Sequence, residues 1–365
     1  MRLSWTRTTF LPPAAAFVLQ RALLAAVAWA NHDDPFRATT WARWDSTFYL
    51  QIASSGYLPV ESCRPETHYP ATAWCGNAGW FPGYAWLAGA VAQPFGASPA
   101  TAAVWISALA QLACLVVLWI LLNDARQWPA LAVAAFFPGN VYMAAIFPVS
   151  VTVLGLLGCI GLCWSQKFKR AALAAAAASA CYPTGVLLAP VAALWALLHR
   201  RWRAGWVVLG ALGGVVAVLL VMRSQTGVWD AFARVQAKYS FSGNPLDTLG
   251  ARLKPLVNPR YRDERGFVTG LQTLLCGVLV VWLAVRELRQ RWTERSSLVV
   301  LCVGAFWIAP LALGGRLSLY RSEALLLPVV LLLPGLPRSA QIVFLAAAIG
   351  LSVPMASMFF RGVLV

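Results

Sequence analysis

The sequence predicts an all-α polytopic membrane protein, and three observations carry that prediction. Of 365 residues, 60% are hydrophobic and only 12% are charged, a balance that cannot cover a water-soluble surface. Apolar runs of about twenty residues, enough to span a bilayer as a helix, recur almost end to end. These runs are continuous and rich in Ala and Leu, unlike the short alternating strands of a transmembrane barrel. Soluble, disordered and fibrous classes are excluded.

The elements follow in order. Phe10 to Ala30 is the first apolar run; it trails a basic start with Arg2 and Arg7 and ends in Ala28-Trp29-Ala30, which resembles a signal-peptidase site. Its length favours a retained helix over a cleaved leader. A long polar segment, 31–79, comes next. Segment 80–95 carries Pro82, Gly83 and Pro94 and is short for an upright span, so it is read as re-entrant. Further spans are expected near 101–122, 128–146, 147–164, 171–183, 184–198, 205–222, 267–286, 298–314, 318–335 and 340–360. Residues 171–198 lie between basic clusters, yet at about 1.5 Å per residue they are too few for two full spans. Two half-length helices meeting at Tyr182-Pro183-Thr184-Gly185 are therefore predicted. The Ala run at 171–178 is a small-residue face suited to close helix packing. The chain reads as a single transmembrane domain, 1–365, with two long outer loops, 31–79 and 223–266.

The formal charge of +16 would raise the question of nucleic acid in a soluble protein, but topology accounts for it here. The clusters KFKR at 167–170, HRRWR at 199–203 and RELRQRWTER at 286–295 fall in short gaps between apolar runs, as the positive-inside tendency expects of cytoplasmic loops facing anionic lipid. Nucleic acid is not an expected partner; membrane lipids are. Six of the eight cysteines lie in apolar runs and read as small hydrophobes. Cys63 and Cys75 alone occupy the outer loop, where they either close a disulfide worth about 2–4 kcal/mol or remain free thiols. With only His32, His68 and His199, no helical His pair and no CxxC, a transition-metal centre is not expected. Asp33-Asp34 with Asp45 is the one trio able to hold a hard divalent cation, and no cofactor is expected.

Five of the thirteen acids, Asp33, Asp34, Asp45, Glu61 and Glu66, crowd the first outer loop. Asp45 heads an amphipathic stretch with Phe48, Tyr49 and Ile52, which would lie along the membrane surface and hold a carboxylate at headgroup height. The plainer alternative is a solvated acid or a local salt bridge to Arg43.

These residues resemble the signature of the PIG-V type mannosyltransferases, a branch of the GT-C glycosyltransferase superfamily. The elements that carry the resemblance are Trp44-Asp45, Phe48-Tyr49, Ile52-Ala53, Gly56-Tyr57 and Phe81-Pro82-Gly83-Tyr84. It is strong across 41–90 and thinner beyond, where Tyr182-Pro183-Thr184-Gly185 falls at the place of an Arg-Ser-Asn-Gly type turn of the family and Val228 to Leu249 resembles its amphipathic stretch. Residues 58–76 are an insertion relative to the family spacing, and the usual acidic residue after a Tyr-Pro pair is missing at Phe147-Pro148-Val149-Ser150.

The resemblance implies a GT-C-like bundle of about 10–12 transmembrane or re-entrant helices with amphipathic helices in its outer loops. It implies an inverting transfer of mannose from a polyprenyl-phosphate donor to a glycolipid, glycan or protein acceptor on the outer side. The Ala-, Arg- and Trp-rich composition reads as bacterial, so that side is the periplasmic face of an inner membrane. An acceptor hydroxyl needs a positioned base, and such assistance contributes roughly 10²–10⁴-fold; Asp45 takes that role. A phosphate leaving group departs without a general acid where cations stabilise it. Loop 223–266 is basic although it lies outside, which makes Lys238, Arg252 and Lys254 candidates for the donor phosphate, with Arg321 at the outer end of a late span. For Arg321, pairing with Glu323 or snorkelling to the interface is the alternative. The substrate pocket is assigned to Arg43, Trp44, Tyr49, Tyr57, His68, Phe81, Tyr84 and Tyr320.

Two rival readings stand beside this one. A transporter or flippase of lipid-linked sugars would place charge at mid-span, where Arg21 is the main exception to an uncharged interior. A non-catalytic membrane scaffold is the other.

Overall fold

The computed structural model describes residues 7–63, 69, 72–239, 244–290, 292–313 and 319–364. Sixteen α-helices follow in chain order: α1 (Arg7–Ala30), α2 (Ser46–Ser55), α3 (Pro82–Phe95), α4 (Pro99–Leu122), α5 (Trp128–Ala135), α6 (Asn140–Ala144), α7 (Val149–Trp164), α8 (Phe168–Cys181), α9 (Leu188–His199), α10 (Gly205–Thr226), α11 (Ala231–Ala237), α12 (Pro245–Val257), α13 (Glu264–Arg289), α14 (Glu294–Ala312), α15 (Leu319–Ser322) and α16 (Arg338–Phe360). The only sheet among the described residues is a two-stranded hairpin of β1 (Glu61–Ser62) and β2 (Trp74–Cys75), paired antiparallel with Glu61 opposite Cys75. Cys63 and Cys75 close a disulfide across it, with Cα atoms 4.9 Å apart.

Among the described residues, six segments are long and apolar enough to cross a membrane: Phe10–Ala30, Pro99–Leu122, Trp202–Thr226, Glu264–Arg289, Glu294–Ala312 and Arg338–Phe360. The protein is a multi-pass membrane protein. The caps explain where the long helices start. Ser98 Oγ accepts from Thr101 N at 3.1 Å ahead of Pro99, Asp263 Oδ1 accepts from Gly266 N at 2.8 Å, and Thr293 with Ser296 forms a reciprocal capping box; each satisfies an amide that the helix itself leaves unpaired.

The remaining apolar segments are short, and here the expected spans are corrected. Residues 128–146 are not one span: Phe136-Phe137-Pro138-Gly139 separates α5 from α6, and Gly139 sits at φ +79 against the Tyr320 carbonyl and Ala324. Residues 318–335 are not one α-helix either. After α15 the chain continues as a 3₁₀ segment over Glu323–Gly335 containing Pro328 and Pro334, each of which lacks the amide an α-helix would use. Segment 80–95 is the fourteen-residue α3, about 21 Å long at the usual rise, well short of a bilayer core.

The predicted pair of half-length helices is α8 and α9. Tyr182 is extended ahead of Pro183, and residues Pro183–Leu187 turn as 3₁₀. Gly185 permits this turn, since a Cβ there would lie 2.5 Å from the Ala178 carbonyl. The Ala run packs as expected on α10: a Cβ at Gly210 or Gly214 would meet the carbonyl oxygens of Ala172 and Ala176 at 2.2 and 2.4 Å. Gly83 brings α3 equally close to Ala180, 2.7 Å from its oxygen. Backbones without intervening side chains are how membrane helices gain contact when lipid offers no hydrophobic drive. Together these close approaches hold the C-terminal end of α8 beside α3, where the motif residues gather.

Candidate functional site

Asp45 stands one residue ahead of α2, at the N-cap position, yet its carboxylate makes no capping bond. The start of the helix is held by backbone and by Ser46 instead. Ser46 N donates to Arg43 O at 3.0 Å, Arg43 N donates to Ser46 Oγ at 3.1 Å, and Ser46 Oγ donates to Ile146 O at 3.0 Å. Ile146 N in turn donates to Trp41 O at 3.0 Å. The motif is thus clamped at both ends of 41–46 to one residue between α6 and α7, leaving the Asp45 side chain free to point elsewhere. Trp44 is left-handed at φ +50, a conformation that costs about 1 kcal/mol or more for a non-glycine residue. Its side chain is exposed.

What the carboxylate meets is Arg321 of α15. The two form a salt bridge, 276 residues apart in sequence. The Arg321 side chain is 10% exposed and that of Asp45 28%, so the carboxylate is partly exposed and its partner is covered. The Arg321 guanidinium also lies over the Phe147 ring at 5.6 Å. Tyr49, Tyr142 and Tyr182 all lie within electrostatic reach of both members of the pair. Five elements therefore converge: the start of α2, α6, the turn before α7, the end of α8, and α15.

Two ion pairs that stood as alternatives are not formed. Asp45 does not pair with Arg43, whose Nη2 donates to Asp33 Oδ2 at 2.8 Å and to Phe360 O at 3.0 Å. Arg321 does not pair with Glu323. That carboxylate is buried and accepts from Gln272 Nε2 at 2.7 Å, while the same amide donates to Tyr320 O at 2.8 Å. Asp33, Asp34 and Asp45 do not form a trio, each being matched to its own arginine, respectively Arg43, Arg37 and Arg321. Among the described residues, no group of three His, Cys, Asp or Glu side chains is arranged to hold a metal ion.

The other candidates divide. Tyr49 is buried edge-on to Tyr84 at 5.8 Å and to Phe147 at 6.4 Å. The hydroxyl of Tyr84 donates to Ala103 O at 3.0 Å, and that of Tyr57 to Trp80 O at 2.8 Å. Phe81 packs on Phe232 at 5.1 Å. These are walls and struts of the site. Burial pushes the Tyr49 and Tyr57 hydroxyls well above the ordinary tyrosine range, so both stay protonated. Tyr320 is buried, 5.9 Å from the Arg252 guanidinium, which also acts electrostatically on Glu323. Lys254 Nζ sits 3.7 Å from the centre of the Tyr261 ring, on another face of α12. Lys238 Nζ donates to Trp74 O at 3.1 Å and packs over Tyr69 and Tyr239; partial burial lowers its ammonium below the usual lysine range. It pins the disulfide hairpin. His68 lies outside the described residues.

Sequence reasoning missed an aromatic wall. Phe48 and Trp80 stack at 3.7 Å, Trp80 meets Tyr239 at 6.4 Å, and Tyr239 meets Tyr69 at 5.7 Å. The Asp45 charge reaches Tyr239. Gln272 was missed as well, although a glutamine in the middle of an apolar run is a visible signal.

No protein-family model matches the chain, and no curated protein does. Solved structures do match. An oligosaccharyltransferase of Archaeoglobus fulgidus in the apo form aligns with a TM-score of 0.56 at 12% identity, over 98% of this chain and 57% of that one. The same archaeal enzyme with zinc and sulfate aligns at 0.55 and 12%, over 94% and 53%. Its complex with an inhibitory peptide and a dolichol-phosphate gives 0.51 and 11%, over 94% and 56%. The fold is GT-C-like. The chain spans a little over half the length of these neighbours.

Proposed function

We propose that the protein is an inverting glycosyltransferase, moving mannose from a polyprenyl-phosphate donor to an acceptor alcohol at the periplasmic face of a bacterial inner membrane. The observation that carries this reading is the Asp45–Arg321 pair, a base and a phosphate ligand joined across 276 residues, with Tyr239 of the aromatic wall within electrostatic reach of the carboxylate.

The chemistry runs in one displacement. The acceptor oxygen attacks the anomeric carbon while the bond from that carbon to the donor phosphate breaks, and the acceptor proton passes to Asp45. The phosphate leaves with its negative charge, which Arg321 and Arg252 stabilise. The resting ion pair gives this sequence an order. A donor phosphate that engages Arg321 releases the Asp45 carboxylate to accept a proton, so the base becomes available once the donor is bound. The Phe48–Trp80–Tyr239 wall supplies flat faces for a sugar ring. Between α12, α13 and α14 runs an apolar groove of about 540 Å³ lined by Leu249, Leu253, Val278, Trp282 and Trp307. Arg252 lies on α12 between the two leucines, so a prenyl chain in the groove would carry its phosphate toward Arg252. The disulfide hairpin, packed at the same end through Lys238, suits an oxidising compartment.

The test is to incubate purified protein with radiolabelled polyprenyl-phosphate-mannose and extracted membrane lipids and to identify the product. A mannosylated acceptor with inverted anomeric configuration is expected. Translocation of the intact donor across a proteoliposome membrane without transfer would replace this reading with that of a flippase.

A further inference from the structure

At the end of α8 remote from Asp45, about 21 Å along the helix from Tyr182 at the usual rise, a cavity of about 480 Å³ opens between the α7–α8 turn and the 200–206 segment. Lys167, Lys169 and Arg170 line it from one side and Arg203 from the other, with Phe168 and Trp206 between them. Lys169 Nζ lies 5.5 Å from the Trp206 ring. Among the described residues no carboxylate pairs with any of these four cations. Their neighbour Arg201 is different, being matched to Glu294 at 2.8 Å. Three of the four also crowd the start of α8, where the helix dipole is positive and cations are unfavourable. All four side chains are exposed, so solvent screens part of their mutual repulsion, and an anion at the centre would relieve the rest.

The surroundings indicate which anion. Beyond the cations the surface becomes apolar: Leu173 on α8 is 73% exposed and Leu209 on α10 is 62% exposed. The exposed indoles of Trp202 and Trp206 mark the level of a membrane interface. A ligand that fits both halves has a phosphate at the mouth and acyl chains running along α8 and α10. We infer that this cavity binds the phosphate headgroup of an acidic phospholipid, at a site separate from the one proposed for sugar transfer.

The shared chemistry, a phosphate group, has a lipid source and a soluble one, and native mass spectrometry of the full-length protein in neutral detergent separates them. Titration with phosphatidylglycerol and phosphatidylcholine is expected to show retention of the acidic lipid roughly tenfold or more above the zwitterionic one. The Arg170→Gln/Arg203→Gln variant should lose that preference. Arg201→Gln removes the same charge from the same loop but from a residue with a carboxylate partner, and should keep it; each variant is first confirmed monodisperse by gel filtration. Equal retention of the two lipids by the unsubstituted protein overturns the inference, as does an equal loss in Arg201→Gln, which would mean that loop charge alone attracts lipid. Protection of Lys169 from acetylation by inorganic phosphate, with no protection by phosphatidylglycerol, would assign the cavity to a soluble phosphate and also overturn it.

Discussion

The two long polar segments of this chain, one rich in acids and the other in cations, differ in what they deliver. Segment 31–79 brings one carboxylate to a defined place because the Trp41 carbonyl and the Ser46 hydroxyl, on either side of Asp45, are both bonded to Ile146. Segment 223–266 is rich in cations, yet it folds into α11 and α12, from which they radiate. Arg234 turns back to Asp230 at 2.9 Å, Arg262 covers Phe267, Lys254 covers Tyr261, and Arg252 reaches Tyr320 and the buried Glu323. Charge count identifies a surface; a site needs a chain segment held from two directions.

That contrast can be broken by substitution, beginning with the anchored half. Arg321→Gln removes the partner of Asp45 and the proposed phosphate ligand together, and transfer should fall by about 10²–10³-fold, measured as single-turnover rate at saturating donor. A rate near that of the unsubstituted protein would detach the pair from chemistry. Arg252→Gln should weaken donor binding by roughly tenfold, the loss of one charge-assisted contact, with kcat little changed; a fall confined to kcat would move Arg252 from binding to the transition state. Cys63→Ser with Cys75→Ser should lower stability by about 2–3 kcal/mol for a loop of this size, read as a lower Tm in detergent, while leaving the Asp45 clamp intact. Lys254→Gln should do least, within about twofold on every parameter, since an exposed cation on a tyrosine ring contributes under about 1 kcal/mol. A large effect there would restore the whole basic segment as a binding surface.

Much of this was legible in the chain. Apolar runs gave the helical membrane class, and the Pro-Gly turn at 183–185 gave the pair of half-length helices, because both follow from local composition. The Trp44-Asp45 motif marked the carboxylate. The partner of that carboxylate was not legible: Arg43 is two residues away and Glu323 two residues from Arg321, and proximity in sequence favoured both wrong pairs. The pairing joins residues 276 apart, and the close approach of Gly139, whose missing Cβ leaves room for the Tyr320 carbonyl next to Arg321, is a contact no spacing rule contains. The 128–146 and 318–335 segments misled for a related reason. Their hydropathy is that of spans, but Pro138-Gly139, Pro328 and Pro334 divert the backbone, and apolar composition alone does not reveal helix type. Gln272 was overlooked because one polar residue barely lowers the average of an apolar run, although a buried amide must find partners.

The central claim is that Asp45 takes the proton of the acceptor while Arg321 holds the donor phosphate. Asp45→Asn keeps the side-chain volume and removes the base. The most direct measurement is the single-turnover rate of sugar transfer by this variant, with binding of the polyprenyl-phosphate donor measured on the same preparation. The account predicts a rate lower by about 10²–10⁴-fold with donor affinity retained or raised, because Arg321 is released from its internal partner. Transfer at an undiminished rate, with the glycosylated product verified, would contradict it.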